Sequence, residues 1–341
     1  MIGLMVVSEK IDCFHFTKFP FCPYSSKCNK SLLFGKINPL SLNFYETGKP
    51  NFVMNLINRL RWQLAEYLRL PGIVWRGLKI TYSLARSYEC KVQYGPQPRQ
   101  YVYYIAPYPN TPARREIIFF AHGGGWKSYN ALIFRFVGRF FAERGYHTLL
   151  AGYRPSPRFI HPAQLDDMYA CLITGEQILE SRGVDYSRIV LGGQSAGAQL
   201  TALMAYDQED ACRRGLDLSR IVGLFLLSGP LDFNECSRGR INRLVRDYAN
   251  TPTLHQEANP SFHAKGDERY PVLCIHGKHD PLVPLSNSIS FVSRLNGKGQ
   301  LRVIDNGHHA DLAAVFIDKD DPAQPILLDW LERIAAEHPT P

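Results

Sequence analysis

At 341 residues the chain can bury one large core, which leaves room for a single α/β domain with an appendage or for two domains at most. Apolar residues at 45% and charged residues at 21% exclude a disordered or fibrous protein. The formal charge of +8 is concentrated: residues 1–78 hold ten Lys or Arg against four Asp or Glu, so the rest of the chain carries only +2. No recognition motif accompanies the basic stretch, and nucleic acid is not an expected partner.

Residues 1–50 mix Phe, Cys, Pro, Lys and Ser without helical or alternating periodicity, and are read as an uncertain leader whose composition does not decide between order and disorder. Met1–Val7 is apolar but short, follows no basic region and precedes Glu9 and Lys10, which is not the pattern of a signal peptide. Cys13, Cys22 and Cys28 with His15 fit no common zinc spacing and read as free thiols. Met54 opens a far more regular sequence, so an over-extended gene start is a second reading of the same stretch. All eight cysteines suit a reducing compartment, and a cytoplasmic location is the expectation.

Residues 51–80 are read as an amphipathic helical cap. From Phe52 to Leu70, the apolar residues Val53, Leu56, Ile57, Leu60, Leu64 and Leu68 recur at steps of three and four, and Pro71-Gly72 is expected to end the helix. Arg59, Arg61 and Arg69 on its polar face admit weak contact with a membrane surface, although a helix covering an acyl pocket is the preferred reading. No apolar run reaches the roughly 20 residues of a spanning helix.

Residues 81–338 are read as one catalytic domain. Lys91–Tyr94 and Gln100–Ile105 are expected to be antiparallel strands. Beyond them, Ile117–Ala121, His147–Ala151, Ile189–Leu191, Ile221–Leu227, Val272–His276 and Leu301–Ile304 are short apolar or β-branched runs. Helical segments at Ala131–Arg144, Ala163–Ser181, Ala196–Tyr206, Ser286–Leu295 and Ile326–Ala336 alternate with them. Such alternation implies an α/β fold with a mostly parallel sheet and helices on both faces, and places the chemistry beyond the carboxyl ends of the strands.

Two motifs stand at such ends. Gly193-Gln194-Ser195-Ala196-Gly197 lies between a strand and a helix, where a sharp turn raises the Ser195 hydroxyl above the sheet and glycines avoid collision with neighbouring backbone. His122-Gly123-Gly124-Gly125-Trp126 follows the strand Ile117–Ala121, and its bare backbone can bring amide N–H groups to an oxyanion. Gly124, Gly125 and Ala196 are assigned to that oxyanion hole. A phosphate-binding loop is rejected because Trp126 and Ala121 stand where it needs glycines. His122 is read as structural.

A serine needs a base, and the base an orienting carboxylate. Asp280, in the loop after Val272–His276, is the expected acid. Asp232 is read as a turn or helix cap. His308 is the expected base because it follows Gly307 directly, with its neighbour His309 as the rival. In this reading Ser195, Asp280 and His308 carry acyl transfer, with no metal or organic cofactor.

From about Tyr101 to Leu331 the chain resembles the esterase and lipase branch of the α/β-hydrolase superfamily that carries a His-Gly-Gly-Gly-Trp motif. Hormone-sensitive-lipase-like carboxylesterases and kynurenine formamidases belong to that branch. Tyr153-Arg154-Pro155-Ser156-Pro157, with Pro162-Ala163 and Asp166-Asp167, is similar to a segment of those enzymes but departs from its commonest form, Tyr-Arg-Leu-Ala-Pro-Glu. Ser228-Gly229-Pro230-Leu231-Asp232 looks more like the formamidases. The resemblance implies an α/β-hydrolase fold and a serine carboxylesterase acting on a small acyl ester of short or medium chain. The alternatives are an arylformamidase and, less favoured, a non-catalytic binding protein. It assigns no oligomeric state.

Overall fold

The computed structural model describes residues 52–266 and 270–337; the leader, with Cys13, Cys22, Cys28 and His15, lies outside the described residues. Eight strands form one sheet: β1 (Glu89–Gln93), β2 (Tyr101–Ile105), β3 (Glu116–Ala121), β4 (His147–Ala151), β5 (Arg188–Gln194), β6 (Ile221–Leu227), β7 (Val272–Gly277) and β8 (Gly299–Ile304). Their order across the sheet is β1-β2-β4-β3-β5-β6-β7-β8. β1 and β2 pair antiparallel, β2 pairs antiparallel with β4, and every later neighbour is parallel.

The helices are α1 (Phe52–Thr81), α2 (Arg135–Ala142), α3 (Ala163–Ser181), α4 (Ala196–Tyr206), α5 (Gln208–Arg213), α6 (Gly239–Tyr248), α7 (Pro252–Glu257), α8 (Pro260–His263), α9 (Ser286–Ser293), α10 (Asp311–Ala314) and α11 (Ala323–Glu337). Short 3-10 turns at Ala131–Phe134, Leu218–Arg220 and Phe233–Cys236 complete the order. Among the described residues no helix is long and apolar enough to cross a membrane.

The period-two geometry of strands sorts their side chains between two core halves. Ile117, Phe119 and Ala121 of β3 pack with α3 and α4, whereas Ile118 and Phe120 pack with α2 and α11. Because β3 and β5 are covered on both faces, they read in sequence as continuous apolar runs. The chain has the α/β-hydrolase fold.

Pro71-Gly72 does not end α1, contrary to the sequence expectation; the helix continues to Thr81 with Pro71 inside it. An interior proline costs about 3 kcal/mol, and packing beyond it supplies the compensation. Ile73, Gly77 and Thr81, four residues apart, turn one buried face to the body. Gly77 comes so close that a Cβ there would lie 3.3 Å from Ile317 and 3.4 Å from Phe136. The Thr81 hydroxyl donates to the Ile133 carbonyl at 3.0 Å.

Candidate active site

Four parallel strands deliver the site from their carboxyl ends: β3 leads to the glycine loop, β5 to Ser195, β7 to Asp280 and β8 to the histidine pair. Ser195 joins β5 directly to α4 with φ 54° and ψ −122°, a conformation that side chains rarely adopt. The turn is held on both flanks. A Cβ on Gly193 would lie 2.4 Å from the Gly197 carbonyl carbon, and one on Gly197 would lie 2.0 Å from the Ala121 carbonyl oxygen. The Ser195 amide donates to the Leu227 carbonyl at 2.8 Å, fixing the turn against β6.

His309, rather than the expected His308, faces the serine. Its Nε2 lies 2.9 Å from Ser195 Oγ, and its Nδ1 lies 2.7 Å from Asp280 Oδ2. A carboxylate only accepts, so Nδ1 carries the proton and Nε2 is left to accept from the hydroxyl. His308 is buried elsewhere: its Nδ1 is 2.9 Å from Arg69 and 3.1 Å from Asp311, and its amide donates to Asp311 Oδ2 at 3.0 Å. The reason lies one residue earlier. Gly307 is pressed against the end of β7, where a Cβ on Gly277 would lie 2.6 Å from its carbonyl carbon, and its carbonyl accepts from the His279 amide at 3.0 Å. With Gly307 fixed, the two adjacent imidazoles diverge, and the second one reaches residue 195.

Asp280 has a fully buried side chain. Burial pushes its carboxyl up, but His309 and His276 together hold it well below the usual carboxylate range. Oδ1 accepts from the Leu282 amide at 2.9 Å and the Val283 amide at 2.8 Å. His276, at the end of β7, sits with Nε2 3.4 Å from Oδ2 and 3.0 Å from the Val283 carbonyl, while Nδ1 accepts from the Ser288 hydroxyl at 2.8 Å. His276 has no assigned role in the sequence expectation, although a strand-terminal histidine four residues before Asp280 is a visible signal. Asp232 is a cap, as expected: it accepts from the Asn234 amide at the start of the 3-10 turn and from the Ser290 hydroxyl.

The glycine loop takes the left-handed backbone at Gly124, φ 119°, and Gly125, φ 59°. At Gly124 a Cβ would lie 2.2 Å from the Ser128 carbonyl oxygen, so no other residue fits without rebuilding the loop. His122 is buried with its Nδ1 2.6 Å from the Gly123 carbonyl and its ring stacked on Tyr153 at 4.4 Å; burial pushes its pKa down to about 4, which keeps it neutral. Trp126 stacks on Tyr248 at 4.5 Å and donates at 2.8 Å to Gln199, whose amide reaches the Ala258 carbonyl. Ala196 is buried at the first turn of α4.

Gly124, Gly125, Ser195 and His309 line one cavity of about 680 Å³, within the range of small-molecule sites. Residues 70–78 of α1 form much of its apolar wall.

A parallel α/β sheet with a hydroxyl on a strained strand-to-helix turn, bonded through one imidazole to a buried carboxylate, defines an α/β-hydrolase of the esterase and lipase family. More narrowly, the BD-FAE family model matches residues 104–295, more than half of the chain, and the chain belongs to that family. Esterase LipQ of Mycobacterium tuberculosis is 28% identical over 243 residues, 65% of this chain and 57% of that protein. Arylacetamide deacetylase of Bos taurus is 36% identical over 104 residues, 29% of this chain and 26% of that one. The chain thus spans less than two thirds of these curated relatives. Among solved structures, an inhibited esterase B from Lactobacillus rhamnosis matches with TM-score 0.64 and 17% identity, covering 82% of this chain and 96% of that one. An esterase of Pyrobaculum calidifontis matches with TM-score 0.61 and 18% identity, covering 81% of this chain and 93% of that one.

Proposed function

We propose that the chain is a serine carboxylesterase that hydrolyses acyl esters of short or medium chain through Ser195, His309 and Asp280. The observation that carries this reading is the single imidazole of His309 within hydrogen-bond distance of both the hydroxyl and the carboxylate. His309 takes the Ser195 proton as the hydroxyl oxygen attacks the acyl carbonyl. The amides of Gly124, Gly125 and Ala196 are assigned to the oxyanion, which the left-handed glycine backbone and the first turn of α4 favour. His309 then protonates the departing alcohol and later activates water to release the acid, while Asp280 keeps the imidazole in its productive tautomer. The names of LipQ and the arylacetamide deacetylase agree with acyl chemistry of this kind.

In this reading α1 acts as a cap over an acyl pocket within the catalytic domain 81–338. A cytoplasmic location is proposed from the thiols. Among the described residues Cys90, Cys171, Cys212, Cys236 and Cys274 are free, and burial pushes Cys171 and Cys274 well above the ordinary thiol range.

The test is labelling with a fluorophosphonate followed by peptide mapping, together with turnover of p-nitrophenyl esters. Label on Ser195, and a loss of about 10³-fold or more in kcat for Ser195→Ala, are expected. Unchanged turnover in that variant would remove Ser195 from the mechanism.

A further inference from the structure

Charge is distributed unevenly around the cavity. Leu70, Ile73, Val74 and Leu78 of α1, with Phe134 and Ile317, present hydrocarbon to it. α6 presents Arg240, Arg243, Leu244 and Asp247, whose spacing of three, four and seven residues places them on one helix face. That face lies against the glycine loop, because a Cβ on Gly125 would lie 2.9 Å from a Leu244 methyl. The acidic member, Asp247, pairs at 3.4 Å with Lys127, which also lines the cavity. Neither Arg240 nor Arg243 joins an ion pair with an acid among the described residues, and both are exposed at the cavity mouth. With Lys127 and Asp247 offsetting each other, these two guanidinium groups leave the cavity mouth with a net positive charge opposite the apolar wall of α1.

Two like charges three residues apart weaken a helix slightly, and bringing a neutral ligand against them removes water from a charge without replacing it. A carboxylate reverses that balance, since guanidinium binds it through paired, charge-assisted hydrogen bonds. We propose that the ester cleaved at Ser195 is amphiphilic: an apolar portion packs against α1, and a carboxylate elsewhere in the same molecule is bound by Arg240 and Arg243. The inference rests on the ester-hydrolase reading above and names the substrate class of that site.

Two matched pairs of esters test it with the full chain. In the first, p-nitrophenyl hexanoate is compared with mono-p-nitrophenyl adipate, which adds a carboxylate at the acyl end. In the second, phenyl hexanoate is compared with 4-carboxyphenyl hexanoate, which adds it to the leaving group; all rates are normalised to hydroxide-catalysed hydrolysis. In at least one pair the carboxylated ester is expected to be preferred by about tenfold in kcat/KM, mostly through KM. That preference should shrink toward unity in the double variant Arg240→Gln/Arg243→Gln and, for the unaltered chain, at about 0.5 M NaCl, where screening is strong. Turnover of both pairs without preference would overturn the proposal while leaving the esterase reading intact. So would a preference that survives both the substitutions, in a protein of unchanged Tm, and the salt. Failure to hydrolyse any of the four esters would sink the esterase reading, and this proposal with it.

Discussion

The guanidinium of Arg69 lies 2.9 Å from Nδ1 of His308, so α1, a wall of the cavity, is tied to the loop that carries His309. The same group reaches Asp311 Oδ2 at 3.0 Å and the Asn306 carbonyl at 3.3 Å. A histidine that takes no direct part in the serine's hydrogen bonds thereby anchors the one that does.

Arg69 is half exposed, and exposed ion pairs contribute only about 0.2–1 kcal/mol. Arg69→Ala is accordingly expected to lower kcat by about twofold to fivefold, as the loop positions His309 less well. Arg69→Lys should recover part of the loss. Steady-state kinetics on a neutral ester decide the matter, and an unchanged kcat would show that the strut is not needed.

The two adjacent histidines should separate cleanly in the same assay. His309→Ala removes the proposed base and is expected to cost about 10³-fold or more in kcat. His308→Ala leaves Ser195, His309 and Asp280 in place and should cost less than about tenfold. The reverse ranking would return the base to His308.

Backbone crowding makes a sharper forecast at Gly197 than at Gly183. A methyl on Gly197 would lie 2.0 Å from the Ala121 carbonyl oxygen, with backbone that cannot swing aside, so Gly197→Ala should yield little folded protein. Gly183 has φ 65° but open space around it, and Gly183→Ala should cost about 1–2 kcal/mol. Thermal denaturation and soluble yield report both. A well-folded Gly197→Ala variant would contradict the geometry of the turn.

Asp321 supplies a pH dependence. Burial, with the neighbouring Asp311 and Asp318 carboxylates, pushes its pKa up to about 6, while Oδ1 accepts from the Ala323 amide. A carboxyl raised above its unfolded value of about 3.9 favours the folded state below pH 4, and that advantage is lost as pH rises through about 6. Asparagine keeps the acceptor without the charge. Because the group is partly solvated, Asp321→Asn should add only about 1 kcal/mol at pH 8, or about 2–4 °C in Tm, and nothing at pH 4. Equal Tm differences at the two pH values would refute the assignment.

Much of the fold was legible because its signals are local or periodic. The runs Ile117–Ala121 and Ile189–Leu191 could be read as buried strands, since covering both faces leaves no polar alternation. Ser195 was legible because its flanking glycines answer to steric needs that can be stated without coordinates. Pro71 misled because a local stop signal was outweighed by the burial of Ile73 and by contacts of Gly77 and Thr81 with residues far along the chain. The choice between His308 and His309 depended on the contact between Gly307 and Gly277, which no spacing reveals. Arg240 and Arg243 could be seen as charges on a helix, but not that Leu244 between them and Asp247 rests on the glycine loop.

The proposed nucleophile and acid leave β5 and β7, which are separated by β6, and the imidazole follows β8, the last strand at that edge. No contiguous stretch of chain holds all three, and their meeting requires parallel pairings between segments distant in sequence, the slowest kind to form. Recovery of turnover after dilution from denaturant would therefore report assembly of the whole sheet from β5 to β8, and a fragment ending before β8 would stay silent however much helix it regained.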